Sequence, residues 1–507
     1  MFNTVLIANR GLIAANCVRA VKELGMKAII AYDQEDAESA AVRNADAAYV
    51  LRPTPDYSRP YLDVNQIVDL ASELKVDAVH PGYGFLAQNM EFAQALKDRG
   101  IAFIAPKSEG VFDFANKHVV KAYAARAGLP ILPGSESFVE REWLFRFANA
   151  IQYPLVIKSV YGYGGVGMKV IHSEEELEAG FNEVRHLCDR HLKCSPDVFL
   201  EKYLPGAQHV EFPVLRDAKG VTIVLPEQEC SVQRRFQKLV VETPSPRLSP
   251  QMRSRLESEI RVLVNRLEVF GFATVEFLIK DGHAYFLEIN GYIQPSHTAT
   301  TLLTGVDLVK EQINILSGGD LEIDPGLINR HGHVVGSFIY AEDPDADFAP
   351  SPGVVERLHL PFGEEVYVQS NIFSGAVVSP LYDSMVAKLM VRGLTRKEAL
   401  KKLEIALREF FVEGVKTNIP LMRALISSEE YAKGDVTPTY LDRPEQRRHL
   451  VEQIKTAQEQ EIAALVAALS LHRDGIEESP VLAGESNAAD ISAASRWMNR
   501  RRSTPQV

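Results

Sequence analysis

Glu276, Glu288 and Asn290 lie in the stretch Thr274 to His297, TVEFLIKDGHAYFLEINGYIQPSH. It reads as two apolar strands, Thr274–Ile279 and His283–Ile289, joined by a Lys-Asp-Gly turn. Two carboxylates and an amide oxygen on such a hairpin are hard oxygen donors, the set Mg²⁺ takes when shared with nucleotide phosphates. Taken alone, the hairpin is more simply two edge glutamates facing water. Its company changes the balance. Pro154-Leu-Val-Ile-Lys158 is a strand ending in lysine, followed by a turn carrying Gly162, Gly164, Gly165 and Gly167, the composition of a flap whose N–H groups fold over phosphates. In isolation that turn reads first as a flexible hairpin loop. Gln233, Arg234, Arg235 and Lys238 make a cationic cluster in an acidic chain, either a solvated hairpin or a phosphate site.

The elements that must position these groups follow from periodicity. Residues 1 to about 110 alternate β-branched runs (Val5–Ala8, Ala28–Ala31, Ala78–His80, Ala102–Ile104) with helical patterns (Gly11–Leu24, Tyr61–Leu74, Met90–Arg99). This predicts a doubly wound α/β domain, with Asn9-Arg10-Gly11 and His80-Pro-Gly-Tyr-Gly84 at the ligand-facing ends of its strands. Neither turn is a dinucleotide fingerprint. A helix from about Val111 to Ala127, carrying Lys117, opens a second unit, 111–204, which ends on a strand Val198–Leu204. A third, 205–330, places His209-Val-Glu211 and Gln228–Lys238 as strands with polar side chains that a core would not accept unpaired. A fourth, 331–445, has β-rich runs (Val334–Tyr340, Val354–His359, Val366–Gln369) and then helices starting near Thr395 and Asn418. The last, 446–507, reads as an amphipathic helix to about His472 and a polar segment with Trp497 and Arg502, either a solvated tail or a docking segment.

With 507 residues, 46% hydrophobic and 24% charged, the chain is an ordinary globular sequence. A net charge of −12 argues against a nucleic-acid partner. Cys17, Cys188, Cys194 and Cys230 have no paired spacing, so inert thiols in a reducing compartment are expected. The absence of a membrane-length apolar run and of signal-peptide anatomy predicts a cytoplasmic location.

Over about residues 1 to 445 the chain resembles the biotin carboxylase subunit of biotin-dependent acyl-CoA carboxylases, in the ATP-grasp superfamily. The resemblance rests on Ile7-Ala-Asn-Arg-Gly11, His80-Pro-Gly-Tyr-Gly-Phe-Leu86, Glu201-Lys-Tyr-Leu204, His209-Val-Glu211, Gln233-Arg-Arg235, Thr304-Gly-Val-Asp-Leu308, Ala341-Glu-Asp-Pro344, Ser351-Pro-Gly353, Tyr382-Asp-Ser-Met385 and Gly414-Val-Lys-Thr-Asn418. It implies an α/β ATP-grasp fold: an N-terminal α/β domain, a small flap domain, a larger ATP-grasp domain and an α+β C-terminal domain, with the helical tail added. By the same resemblance, Lys117 and Lys158 would hold ATP phosphates, with Gly164 and Gly165 in the flap. Glu201, Lys202 and Leu204 would line the adenine slot, and His209, Gln233 and Lys238 would contact the nucleotide. Glu276, Glu288 and Asn290 would hold Mg²⁺, with Mn²⁺ as the alternative.

The reaction centre departs from the family. Tyr292 stands where the family has the arginine that clamps bicarbonate, and Ser296 where it has the glutamate that deprotonates it. Phe338 stands where an arginine stabilises the biotin enolate, and Phe236 where the cluster has a histidine. Pro295 removes a backbone N–H, and Tyr161, Tyr163 and Val166 alter the flap. Lys238 and Gln294 are retained, as is His297. A phenyl ring cannot donate to an enolate and a serine hydroxyl is no base near pH 7. These replacements speak against biotin as a carrier-bound substrate. The expectation is therefore a Mg-ATP-binding member of an acyl-CoA carboxylase assembly with impaired or lost carboxylation, a structural or regulatory paralogue. Its partners would be a biotin carboxyl carrier protein, a carboxyltransferase or an active paralogue, in a homo- or hetero-dimer. The alternative is an active ligase, either a biotin carboxylase with a rebuilt pocket or one forming an acyl phosphate on another carboxylate.

Overall fold

A computed structural model describes residues 1–54, 60–105, 116–135, 139–160, 167–189, 197–450 and 452–453, and the backbone of 107–108. The N-terminal sheet has five parallel strands in the order Ala47–Val50, Lys27–Tyr32, Thr4–Ile7, Ala78–His80, Ala102–Phe103. Its strands are apolar at successive positions because both faces are covered. Val5, Ile7, Ala28 and Ile30 pack with Ile13 and Val18 of helix Gly11–Glu23 on one side. Leu6, Ile29 and Ala31 pack with Ile67, Val68, Phe92 and Leu96 on the other.

The sequence pattern missed Ala47–Val50, a part-exposed edge strand without the buried run that marks the others. The expected Tyr61–Leu74 helix is shortened to Val64–Glu73, because the Asp63 side chain accepts from the Gln66 N–H at 3.0 Å and caps it. Asn116 caps helix Lys117–Arg126 through the Val119 N–H at 3.1 Å, so Lys117 is its first residue. Positions 111–115 of the longer helix expected there lie outside the described residues.

The flap sheet has three antiparallel strands, Met168–Ile171, Leu155–Ser159 and Val198–Lys202, with Leu155–Ser159 central. The last ends at Lys202 rather than Leu204. The expected Val354–His359 run is split into Gly353–Val354 and Arg357–His359, because the chain changes partner from Val377–Val378 to Phe411–Glu413.

The site rests on a ten-stranded sheet. Its main path runs His283–Asn290, Val269–Lys280, Gln208–Arg216, Gln228–Glu229, Val240–Thr243, His333–Tyr340, Met385–Gly393, Val366–Ser370. Val240–Thr243 pairs directly with His333–Tyr340, so one hydrogen-bonded surface continues across the boundary expected at 330. Residues 1–452 form one compact unit and 453–507 a second. Residues 444–450 are helical; the rest of the expected C-terminal helix beyond residue 453, Trp497 and Arg502 lie outside the described residues. Among the described residues no helix is long and apolar enough to cross a membrane, and Cys17, Cys188 and Cys230 are buried and unbonded. Cys194 lies outside them.

Candidate active site

Three carboxylates lie in a row across the sheet. Glu276 pairs in register with Glu288 on one side and with Glu211 on the other, so all three project from one face. Alternation puts Asn290 two residues beyond Glu288 on that face, opposite Thr274. Like charges directly opposite destabilise a sheet. Each acid has its own basic partner: Lys238 on Glu211, His209 Nε2 on Glu276 at 2.7 Å, and Lys117 on Glu288. Asn290 Nδ2 joins the acids, donating to Glu276 Oε1 at 2.5 Å and Glu288 Oε1 at 3.0 Å. Gln88 Nε2 donates to Asn290 Oδ1 at 3.3 Å.

The electrostatics follow from this pairing. Burial and the neighbouring Glu211 and Glu288 raise the Glu276 pKa. Burial pushes Glu288 up too, but Lys117 outweighs it and holds the carboxyl at about 2. Burial opposes charge on His209 and Lys238, yet Glu276 and Glu211 respectively dominate and raise both pKa values. Lys238 is therefore an ammonium. The hard oxygens of Glu276 and Glu288 lie close together, the kind of donors a divalent cation shared with phosphates takes, while Asn290 turns its amide N–H groups to them and its oxygen to Gln88. His209, Glu211 and Glu276 also lie close enough together to hold a metal ion, which gives the site more donors than the hairpin alone suggested.

A cavity of about 230 Å³ adjoins the row, with Val156, Met168, Phe199, Leu204 and Leu278 on apolar walls and Lys117, Lys158, Glu201, Lys202, His209, Gln233 and Lys238 on polar ones. The structure thus gathers the expected cofactor-binding residues, except Gly164 and Gly165, which lie outside the described residues. Glu201 is buried between Lys158 and Lys121, the latter at 2.7 Å. Burial raises its pKa, but the two lysines outweigh it and lower it. Lys121 was missed from sequence, although its spacing of four from Lys117 puts both on one helix face. Lys202 turns its amine to the carbonyls of Gln152 and Tyr153, at 3.2 and 3.0 Å.

Beyond Asn290 the chemistry changes. Tyr292 and Gln294 line the same cavity, and Lys238 Nζ lies 3.3 Å from Gln294 Oε1. Ser296 is fully buried, its hydroxyl 3.5 Å from Glu211 Oε2. Phe338 is fully buried and pairs across strands with Lys388. Lys388, also missed from sequence, donates to the Pro295 carbonyl at 2.8 Å. Burial pulls its pKa down to about 7. His297 is neutral, its pKa pushed to about 3 by burial and then by Lys388.

The fold and this row of donors define an ATP-grasp protein. Three family profiles cover the chain in sequence: the biotin carboxylase N-terminal domain over 1–111, the carbamoyl-phosphate synthase L chain ATP-binding domain over 116–324, and the biotin carboxylase C-terminal domain over 338–443. Biotin carboxylase 1 of Bacillus subtilis is 37% identical over 445 residues, 87% of this chain and 98% of that one. The 2-oxoglutarate carboxylase small subunit of Hydrogenobacter thermophilus is 36% identical over 482 residues, 94% of this chain and 100% of that protein. Among solved structures, the biotin carboxylase domain dimer of Hydrogenobacter thermophilus 2-oxoglutarate carboxylase, in complex with MgADP, ADP and bicarbonate, superposes with a TM-score of 0.85 at 36% identity, covering 89% of this chain and 99% of that one. The chain belongs to the biotin carboxylase family, as an ATP-grasp subunit of biotin-dependent carboxylases.

Proposed function

We propose that this protein binds a magnesium nucleotide and carries an impaired or lost biotin carboxylation step, acting as a structural or regulatory member of its carboxylase assembly. The observation that carries this reading is the contrast between two neighbouring groups of side chains. Glu276, Glu288 and Asn290 keep a cation-ready donor set, while Tyr292, Ser296 and Phe338 offer a phenol, a hydroxyl and a phenyl ring. Mg²⁺ held by Glu276 and Glu288, with Asn290 beside them, would screen and bridge the nucleotide phosphates. Lys117 and Lys158 would exchange their carboxylate partners for phosphate oxygens, and Glu201, Lys202 and Leu204 would border the base.

Two of the groups left near the loop are poor substitutes for the missing base. Lys238 is locked as an ammonium on Glu211, and His297 is a very weak base, with a pKa near 3. A positioned base supplies typically ~10²–10⁴ in rate and an oxyanion donor ~10²–10³. The dimer of the Hydrogenobacter relative supports a dimeric arrangement here, with carrier protein and carboxyltransferase as partners and 446–507 as a docking segment.

One observation favours a second reading, an active ligase with a rebuilt pocket. Lys388 sits across from Phe338 and reaches the Pro295 carbonyl, so an amine with its pKa pulled down to about 7 stands beside the loop, able to hold or release a proton. Two measurements decide: thermal stabilisation by MgADP, and ADP release from ATP with biotin and bicarbonate. Stabilisation without stimulated release is the expected result; release stimulated by bicarbonate rejects the first reading for the second.

A further inference from the structure

The hairpin of Gln233–Arg234 with Gln237–Lys238 turns through Arg235 and Phe236 alone, and both have positive φ, 47° and 66°. A two-residue turn of this hand suits the strand twist, but it favours Asn-Gly, and side chains as large as these strain it. Phe236 is nonetheless 47% exposed and lines the nucleotide cavity. Lys238, two residues on, is the cation of Glu211.

What holds the turn lies opposite it. Asp347 and Phe348 form a second consecutive pair with positive φ, 53° and 59°. The Asp347 carboxylate accepts from Arg235 at 2.8 Å, from Arg447 at 2.9 Å and from Arg234 at 3.4 Å. The guanidinium carbons of Arg234 and Arg447 lie 4.1 and 5.8 Å from the centroid of the Phe348 ring. The Arg235 N–H donates to Asp442 Oδ1 at 3.2 Å, and Asp442 borders the same cavity. A single exposed ion pair stabilises little. Three arginines sharing one carboxylate, two of them facing one ring, form a network that fixes both turns.

One arm comes from elsewhere in the chain. Arg447 belongs to the helical segment 444–450, and its side chain is only 16% exposed. We infer that Arg447 is a positioning residue for the nucleotide cavity: through Asp347 it holds the strained Arg235–Phe236 turn against the cavity mouth, coupling the start of the C-terminal segment to nucleotide affinity. This rests on the nucleotide-binding reading given above. The ligand class is a nucleoside di- or triphosphate with its divalent cation.

The test uses the full-length protein, its Arg447→Met and Arg447→Lys variants, and Phe236→Gly alone and combined with Arg447→Met. MgADP affinity is measured by calorimetry and backbone hydrogen exchange at 233–238 without nucleotide. Arg447→Met keeps the side-chain stem; it is expected to weaken MgADP binding roughly 2- to 30-fold and to speed exchange at Arg235, Phe236 and Gln237. Arg447→Lys restores part of both. Glycine at 236 lets the turn keep its shape unaided, so Arg447→Met costs no further affinity in that background. Wild-type binding with unchanged exchange and affinity in Arg447→Met overturns the positioning role alone. A wild type that binds no MgADP overturns the nucleotide reading and this inference with it.

Discussion

Two neighbouring stretches of the chain treat charge in opposite ways. Up to Asn290, every acid in the central row has its own basic partner, Lys238, His209 and Lys117 in turn. From Gly291 to His297 no side chain is ionised: the loop holds Tyr292, Gln294, Pro295, Ser296 and a neutral histidine. On the proposed reading, the first stretch exchanges those partners for a divalent cation and the phosphates that accompany it. The second stretch carries no carboxylate and no guanidinium of its own. On that reading, gripping a nucleotide and activating a carbonate are separable properties, carried by residues a few positions apart.

Restoring the missing charges is the strongest way to break this comparison. Tyr292→Arg with Ser296→Glu is expected to raise biotin- and bicarbonate-dependent ADP release by about 10²–10⁴, read in a coupled ATPase assay. Arginine at 338 is left out because the buried Lys388 amine stands directly across from it, and a guanidinium there would be buried without an acidic partner. No gain would place the defect in the nucleotide half instead.

Removing one of the matching cations sharpens the comparison from the other side. Lys238→Met leaves the fully buried Glu211 without its partner and is expected to lower unfolding free energy by roughly 3–5 kcal/mol in urea titrations. Glu229 shows what happens to an acid with only hydroxyl partners, those of Ser231 and Ser245. Burial raises its pKa to about 7, so the folded state binds its proton more tightly than the unfolded chain. Its stabilisation is complete below the ordinary carboxylate range and is lost as pH rises through 7, in all roughly 3 kcal/mol. Glu229→Gln should flatten that part of the stability–pH curve; an unchanged curve would deny Glu229 the shift.

The smallest effect concerns the arm that carries Lys117. Asn116→Ala removes the cap of helix Lys117–Arg126 and is expected to cost about 1 kcal/mol, checked by thermal melting. A larger loss of MgADP-induced stabilisation would mean that the cap also aims Lys117.

Much of this was legible in sequence because it depends on local patterning. Local patterning placed Glu276 and Glu288 on two paired strands with Asn290 just beyond, but they face each other only because the register shifts between Glu276 and Phe277, a bulge that alternation does not show. What stayed hidden depends on register between distant strands. Glu211 was readable as a polar strand position, but its place beside Glu276 is set by pairing between residues far apart in the chain. The same holds for Lys388, which looks like an ordinary strand lysine until its pairing with Phe338 buries it. Capping residues were legible in principle: Asp63 marks a helix start that apolar periodicity alone overran.

The pairing of Val240–Thr243 with His333–Tyr340 bears on how this molecule can be cut. A fragment ending near residue 330 would expose a raw strand border on a half-built surface, and its complement would expose the matching one, each a template for sticking to other copies. Expression of either piece should give insoluble material, whereas co-expressing the two would let the borders find each other.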